Sequence, residues 1–143
     1  MVSFTKENSE TSGMTDKRFV LDTNAVIFLT SRGSIISPGF LDELNKADLF
    51  ISGISEIELF SKSAMPPDEE NKLRIFISDR IPVIDLTEAV KKETITLRRK
   101  TKLKLPDCII AATAIAINAV LLTADKKLFD LSWPGLRVQR LAN

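Results

Sequence analysis

The chain has no histidine, no tyrosine and only one cysteine, Cys108, among its 143 residues. Without histidine there is no imidazole to act as a general base and no Cys/His set for a zinc site. The lone thiol cannot form an internal disulfide, and it lacks the histidine partner that activates a catalytic cysteine. Any metal ion that this chain binds must therefore be held by oxygen ligands.

Glycine and long apolar runs are also scarce. The five glycines form neither a phosphate-binding Walker A loop nor a dinucleotide-binding G-x-G-x-x-G turn. No apolar run reaches the roughly 18 residues of a membrane span, because Thr113 and Asn118 interrupt the longest one. We therefore expect a soluble cytoplasmic protein with no membrane partner. The net charge of +1 gives no global basic field to attract nucleic acid.

The remaining composition is that of one compact domain, with 44% hydrophobic and 27% charged residues. Residues 1–16 are polar and aperiodic, which predicts a flexible N-terminal tail before a single domain at 17–143. Within that domain, short continuous apolar runs alternate with segments of helical periodicity. This alternation predicts an α/β fold, a three-layer sandwich with a central, mostly parallel five-stranded sheet.

Local signals indicate where several helices begin. Ser55 and Glu58 have the S-x-x-E spacing of a capping box, which predicts a helix start at Ser55. Thr87 is a predicted N-cap for a longer helix. Pro106 is expected in the first turn of another helix, which continues to about Asn118.

Four carboxylates follow predicted strands or begin helices next to them. In a parallel sheet, the strand ends and the helix starts that follow them share one edge, where open α/β sheets bind ligands. We therefore predict that these four side chains meet there. They are Asp22 after the first strand, Glu58 in the helix after the second, Asp107 in the helix before the fourth, and Asp125 just after the fourth.

Each acid alone has a structural explanation, because a carboxylate in the first turn of a helix gains about 0.3–1 kcal/mol from the helix dipole. Two carboxylates about 4 Å apart, however, repel by about 4 kcal/mol at an effective dielectric constant of about 20. A divalent cation removes this repulsion, and oxygen ligands suit Mg²⁺ or Mn²⁺. Such a site can activate water and stabilise charge on a phosphodiester, which favours hydrolysis of a nucleic-acid backbone.

The segments "VLDTN", "ISGISEIELF", "LPDCIIAATAIA" and "LLTADKKLF" span residues 20 to 129. In order and spacing they resemble the PIN-domain ribonucleases, most closely the VapC-type toxins of VapBC toxin–antitoxin systems. The resemblance implies an RNA substrate, a homodimer and an antitoxin whose tail occupies the active-site groove. It further implies that one or two Mg²⁺ or Mn²⁺ ions are held by Asp22, Glu58, Asp107 and Asp125, near the polar residues Asn24, Ser55 and Thr123.

A basic segment precedes Asp107. Between positions 91 and 104, seven lysines and arginines accompany one acid, Glu93. The segment either guides RNA phosphates to the metal or is the solvated face of a helix, and both interpretations remain open. No aromatic residue is interleaved with the charges, so base stacking is not expected on that helix. The candidate RNA-binding residues are Lys91, Lys92, Arg98, Arg99 and Lys102.

The leading hypothesis is a metal-dependent endoribonuclease of the toxin type. An acid-pocket phosphotransfer domain, either a response-regulator receiver or a haloacid-dehalogenase-like (HAD-like) phosphatase, is an alternative. It is disfavoured because Asn24 stands where such a phosphatase has its second aspartate. A non-catalytic PIN-like module that binds RNA or protein is the other alternative, and the presence of all four acids argues against it. Glu56 is the rival of Glu58, while Asp85 is left out because its strand is expected at the sheet edge.

Overall fold

A computed structural model describes residues 17–32, 37–61 and 64–141 of the chain. The predicted tail at 1–16 lies outside these residues, and the division into a tail and one domain stays a prediction. The strands are β1 (Arg18–Leu21), β2 (Asp48–Ser52), β3 (Val83–Ile84), β4 (Val120–Thr123) and β5 (Arg137–Arg140). The helices are α1 (Thr23–Arg32), α2 (Pro38–Lys46), α3 (Gly53–Phe60), α4 (Pro67–Arg80), α5 (Glu88–Lys100), α6 (Leu105–Ala116) and α7 (Lys126–Phe129).

The five strands form one sheet in the order β3-β2-β1-β4-β5. Every neighbouring pair is parallel. The predicted α/β fold is therefore confirmed, and the described sheet is parallel throughout where the sequence predicted it mostly so. Because β1 is the central strand, its carboxyl end lies between those of β2 and β4. β3 lies at the edge, as expected for the strand before Asp85.

Helices cover both faces of this sheet, which accounts for the continuous apolar strands. In β1, Phe19 and Leu21 pack against a cluster that includes side chains of α1, α2 and α4. Val20, between them, points to the other face and packs against α5 and α6. Cys108 of α6 is fully buried in that second cluster, where burial raises the pKa of its thiol, so it behaves as a small apolar side chain.

The start of α3 differs from the sequence prediction. This helix begins at Gly53, and Ser52 is its N-cap, with the Ser52 Oγ accepting a hydrogen bond from the Ile54 N–H at 3.2 Å. The capping box predicted at Ser55 and Glu58 is therefore wrong. The chain turns into the helix as soon as β2 ends, so the serine at the strand end caps it. Ser55 is instead fully buried within the helix.

This difference predicts a larger loss of stability for one serine-to-alanine variant than for the other. Ser52→Ala should lower the free energy of unfolding by about 1 kcal/mol because it removes the cap. Ser55→Ala should cost less than about 0.5 kcal/mol or be stabilising, because the buried Ser55 Oγ has no partner among the described residues. Urea denaturation of both variants measures the difference. A larger loss for Ser55→Ala would restore the capping box.

The other predicted helix starts are confirmed. The Thr87 Oγ1 accepts a hydrogen bond from the Val90 N–H at 3.2 Å, and Pro106 lies in the first turn of α6. Helix α6 ends at Ala116, before the predicted limit, because Asn118 adopts a left-handed backbone with φ of 54°. None of the helices in the described ranges is long and apolar enough to cross a bilayer.

Candidate active site

Asp22 lies at the centre of the carboxyl edge of the sheet, directly after β1, and is 5% exposed. Its Oδ1 accepts a hydrogen bond from the Ala25 N–H at 2.7 Å, and its Oδ2 accepts one from the Thr123 hydroxyl. Burial raises the pKa of Asp22, and these two hydrogen bonds oppose the rise. The charges of Asp125 and Asp107 raise the pKa further. The fold therefore holds a buried carboxylate close to two other acids.

Asp107 lies in the first turn of α6 and is half-buried. No described residue donates a hydrogen bond to its carboxylate. Burial is the main cause of its raised pKa, and the charges of Asp125 and Glu58 add to the rise. The charges of Lys104 and Lys127 lower it. Of the four acids, Asp107 is thus the one whose carboxylate accepts no hydrogen bond from a described residue.

Glu58 is exposed on α3, and its Oε1 accepts a hydrogen bond from the Thr23 hydroxyl at 2.6 Å. Thr23 begins α1, next to Asp22, so this contact joins the start of α1 to the last turn of α3. Sequence reasoning missed Thr23, and its only signal there was its place directly after Asp22. Glu56, the rival acid, faces a hollow lined by α4 and by Pro82 before β3. The structure therefore places Glu58, and not Glu56, beside Asp107.

Asp125 is the N-cap of α7, and its Oδ1 accepts a hydrogen bond from the Lys127 N–H at 2.8 Å. Its own backbone N–H donates to the Thr123 Oγ1 at 2.9 Å. The fully buried Thr123 hydroxyl therefore bridges two acids, because it also donates to Asp22. The aspartates at the two ends of the apolar stretch 105–125 thus reach the same edge of the sheet.

Of the three supporting polar residues, the structure connects only Thr123 to the acids. Asn24 is exposed in the first turn of α1 and makes no side-chain hydrogen bond with another described residue. The Ser55 Oγ is buried and has no hydrogen-bond partner among the residues that the structure describes. The roles of Asn24 and Ser55 stay predictions.

The donor atoms at this edge are all oxygens. No three of the described acidic side chains meet closely enough to enclose an ion as they stand. The physical reason is that Glu58 and Asp125 are turned toward protein donors, the Thr23 hydroxyl and the Lys127 amide. The set still fits Mg²⁺ or Mn²⁺, because its donors are oxygens and a divalent cation offsets the repulsion from Asp125 and Glu58, which adds to the rise that burial causes in the pKa of Asp107. A bound ion has to compete with those two hydrogen bonds.

The basic segment is divided between the two ends of α5. A short loop at 101–104 joins α5 to α6 and the helices pack together, so they run antiparallel. The carboxyl end of α5 therefore lies beside the first turn of α6, which carries Asp107. Lys91 and Lys92 are at the other end of α5, about 12 Å or more away along the helix axis. Lys91 also pairs with Glu88 at 2.8 Å.

Arg98 has a structural contact of its own. Its Nη1 donates a hydrogen bond to the Leu103 carbonyl oxygen at 2.7 Å, which holds the loop between α5 and α6. Arg99 and Lys102 are exposed near that loop. The structure therefore brings part of the predicted RNA-binding set toward Asp107, and it does not bring Lys91 and Lys92 there.

Comparison with protein-family models identifies the family of the chain. The PIN-domain family model matches residues 19–134, a range that contains all four acids. The chain belongs to the PIN-domain family. The resemblance predicted from the four sequence segments is therefore confirmed.

Solved structures similar to this PIN domain include chains of three toxin–antitoxin complexes. One is VapBC2 from Rickettsia felis bound to a DNA fragment from their promoter, with a TM-score of 0.71, 26% identity, and coverage of 87% of this chain and 99% of that chain. DNA-bound VapBC from Salmonella typhimurium matches with a TM-score of 0.69 and 27% identity, and the match covers 87% of this chain and 98% of that chain. A toxin–antitoxin complex from Klebsiella pneumoniae matches with a TM-score of 0.64 and 28% identity, and the match covers 82% of this chain and 93% of that chain. No protein with a curated description matches the chain.

Proposed function

We propose that this PIN domain is a metal-dependent endoribonuclease that hydrolyses RNA phosphodiester bonds. The observation that carries the proposal is the meeting of acids from distant parts of the chain at one edge of the sheet. The Thr123 hydroxyl bridges Asp22 and Asp125, and the charges of Asp125 and Glu58 add to the rise that burial causes in the pKa of Asp107. Membership of the PIN-domain family supports it. A cluster of this kind costs stability unless a cation offsets the repulsion, which is the reason to assign it a metal and a reaction.

Asp22, Glu58, Asp107 and Asp125 would hold Mg²⁺ or Mn²⁺. The bound ion supplies charge stabilisation at the phosphodiester and activation of water. Asp22 is fixed in place by its two hydrogen bonds and acts as the anchor of the set. Because the chain has no histidine, either a carboxylate or the metal itself takes the part of the base that activates water. Among the four acids Asp107 suits this role, because no described residue donates a hydrogen bond to its carboxylate.

The biological role we propose is that of the toxin in a VapBC-type toxin–antitoxin pair, acting in the cytoplasm. The similar chains were solved as toxin–antitoxin complexes. The match to the Rickettsia felis structure extends over 99% of the chain in that structure. We accordingly propose an antitoxin protein as partner and a homodimer as the assembly. Co-purification with the product of a neighbouring gene tests the first, and light scattering of the isolated chain tests the second.

Metal removal tests the nuclease assignment. Single-stranded and structured RNAs are incubated with the chain in Mn²⁺, in Mg²⁺, or after treatment with EDTA. We expect cleavage that EDTA abolishes and that added Mn²⁺ restores, because the carboxylates need the ion to act. An Asp107→Asn variant purified in parallel detects contaminating nuclease. Cleavage that is equal in EDTA, or equal in the variant, would contradict the proposal.

A matched pair of glutamate variants tests which acid of α3 belongs to the site. Glu58→Gln should lower cleavage by a factor of about 100 or more, since loss of an outer partner of a metal ligand already costs 10–100-fold. Glu56→Gln should leave cleavage within about twofold, because Glu56 faces α4 and Pro82. Initial rates at fixed Mn²⁺ decide the question, and equal losses in the two variants would remove Glu58 from the ligand set.

A further inference from the structure

Phe129 differs from the other described aromatic side chains. The structure describes seven phenylalanines and Trp133, and Phe129 alone among them is exposed, at 43% of its surface. Exposure of an aromatic ring forfeits hydrophobic stabilisation.

Phe129 lies one helical turn from an acid of the proposed site. It is the last residue of α7, and its backbone N–H donates to the carbonyl oxygen of Asp125 at 3.1 Å. Arg140, at the end of β5, is paired in register with Thr123 on the neighbouring strand. The Arg140 guanidinium carbon lies 5.9 Å from the centre of the Phe129 ring. An aromatic ring and a guanidinium group are thus close to each other, on residues that pair through the backbone with Asp125 and Thr123.

We propose that Phe129 and Arg140 form a platform on which a nucleobase of single-stranded RNA stacks, next to the phosphodiester held at the carboxylates. The inference rests on the proposed nuclease function and assigns a binding subsite to it. Aromatic rings stack on every base, and guanidinium groups stack on planar rings and bind phosphates. The platform therefore favours unpaired RNA, whose bases are free to stack, over duplex RNA.

Lys127 adds positive charge at the same place. Its side chain is exposed and its ammonium group has no ion pair or hydrogen bond with another described residue. The neighbouring Lys126, by contrast, is paired with Asp130 at 2.6 Å. Lys127 lies in α7, two residues after Asp125 and two before Phe129. An unpaired ammonium on this helix suits contact with the RNA backbone.

Binding of a short fluorescent single-stranded oligoribonucleotide, measured by anisotropy in Ca²⁺, tests the platform. Phe129→Leu keeps an apolar side chain but removes the ring, and it should weaken binding about tenfold. Phe129→Trp should stay within about twofold of the wild type because it restores a stacking surface. Ile75→Ala, at an exposed apolar residue of α4, is the matched control and should not change binding.

An abasic substitution in the oligonucleotide shows whether the ring contacts a base. Scanning one abasic position along the strand should reveal a position that weakens wild-type binding by the same factor as Phe129→Leu. Combining that substrate with the variant should cause little further loss, because both changes remove the same contact. Fully additive losses at every position would overturn the platform.

The remaining outcomes separate this inference from the nuclease proposal. Unchanged binding by Phe129→Leu, or equal weakening by Phe129→Trp, overturns the platform, as does a wild type that binds no RNA. In cleavage assays with Mn²⁺, the platform predicts that Phe129→Leu raises KM about tenfold and changes kcat by less than about twofold. A wild type that binds the RNA but cleaves none would overturn the nuclease function and leave the binding result standing.

Discussion

Asp22→Asn should lower RNA cleavage by a factor of about 100 or more, although it conserves the shape of the side chain. The substitution removes the charge of the central acid. The amide oxygen of asparagine can still accept the hydrogen bond from the Ala25 N–H, and the amide nitrogen lies next to the Thr123 hydroxyl. The measurement is the initial cleavage rate in Mn²⁺ across a range of concentrations. Activity that survives Asp22→Asn unchanged would refute the assignment of the site.

Asp85→Asn is the matched control for this variant. Asp85 also follows a strand of the same sheet, but that strand, β3, lies at the edge and Asp85 is exposed. The same chemical change at Asp85 should therefore leave cleavage within about twofold. An equal loss in both variants would show that negative charge anywhere on this edge, and not a defined ligand set, is what matters.

The same Asp22→Asn variant should be more stable than the wild type at neutral pH in EDTA. Burial raises the folded-state pKa of Asp22 above its unfolded value, so the folded state retains a proton more readily and loses stability as pH rises through that interval. Asparagine does not titrate and avoids this loss. Thermal melts should show a gain in Tm that fades as pH falls below the usual aspartate range. A gain that persists in acid would point to packing instead.

Thr123→Val should lower cleavage by about 10–100-fold, the usual cost of removing a partner that orients a metal ligand. Valine fills the same space but leaves a buried Asp22 oxygen and the Asp125 N–H without the hydroxyl that joins them. The unpartnered buried group should also cost about 1–3 kcal/mol of stability. A raised Mn²⁺ concentration for half-maximal activity would separate an effect on the site from a loss of folded protein.

Thr123→Ser is the conservative counterpart, because serine retains the hydroxyl and loses only a methyl group. It should recover most of the activity and of the metal affinity. If the serine variant were as impaired as the valine variant, the hydroxyl bridge alone would not account for the site, and the methyl contact of Thr123 would be required as well.

Much of the fold followed from patterns that are regular along the chain. Continuous apolar strands separated by helices require a parallel sheet covered on both faces, and such a sheet places its strand ends on one edge. That argument predicts that Asp22, Glu58, Asp107 and Asp125 meet at this edge. The structure confirms the parallel sheet, and the assignment of the four acids to one site stays a proposal.

Side-chain contacts between distant residues did not follow from such patterns. The bridge from Thr123 to Asp22 depends on the pairing of β4 with β1, and the Thr23–Glu58 bond depends on the relative placement of α1 and α3. The predicted start of α3 at Ser55 was wrong because the S-x-x-E spacing does not show where β2 ends, and the end of that strand places the cap at Ser52. The charges of α5 gave no direction along the helix, so Lys91 and Lys92 were grouped with residues near Asp107.

The hydrogen bond between Thr123 and Asp22 joins residues 101 positions apart in the chain. During translation, β1 emerges long before β4, and the ribosome adds only about 5–20 residues per second. On the proposed function, the last acid therefore reaches its companions seconds after the first has left the exit tunnel. A nascent chain would be harmless to the messenger that encodes it until nearly all of its strands have been made.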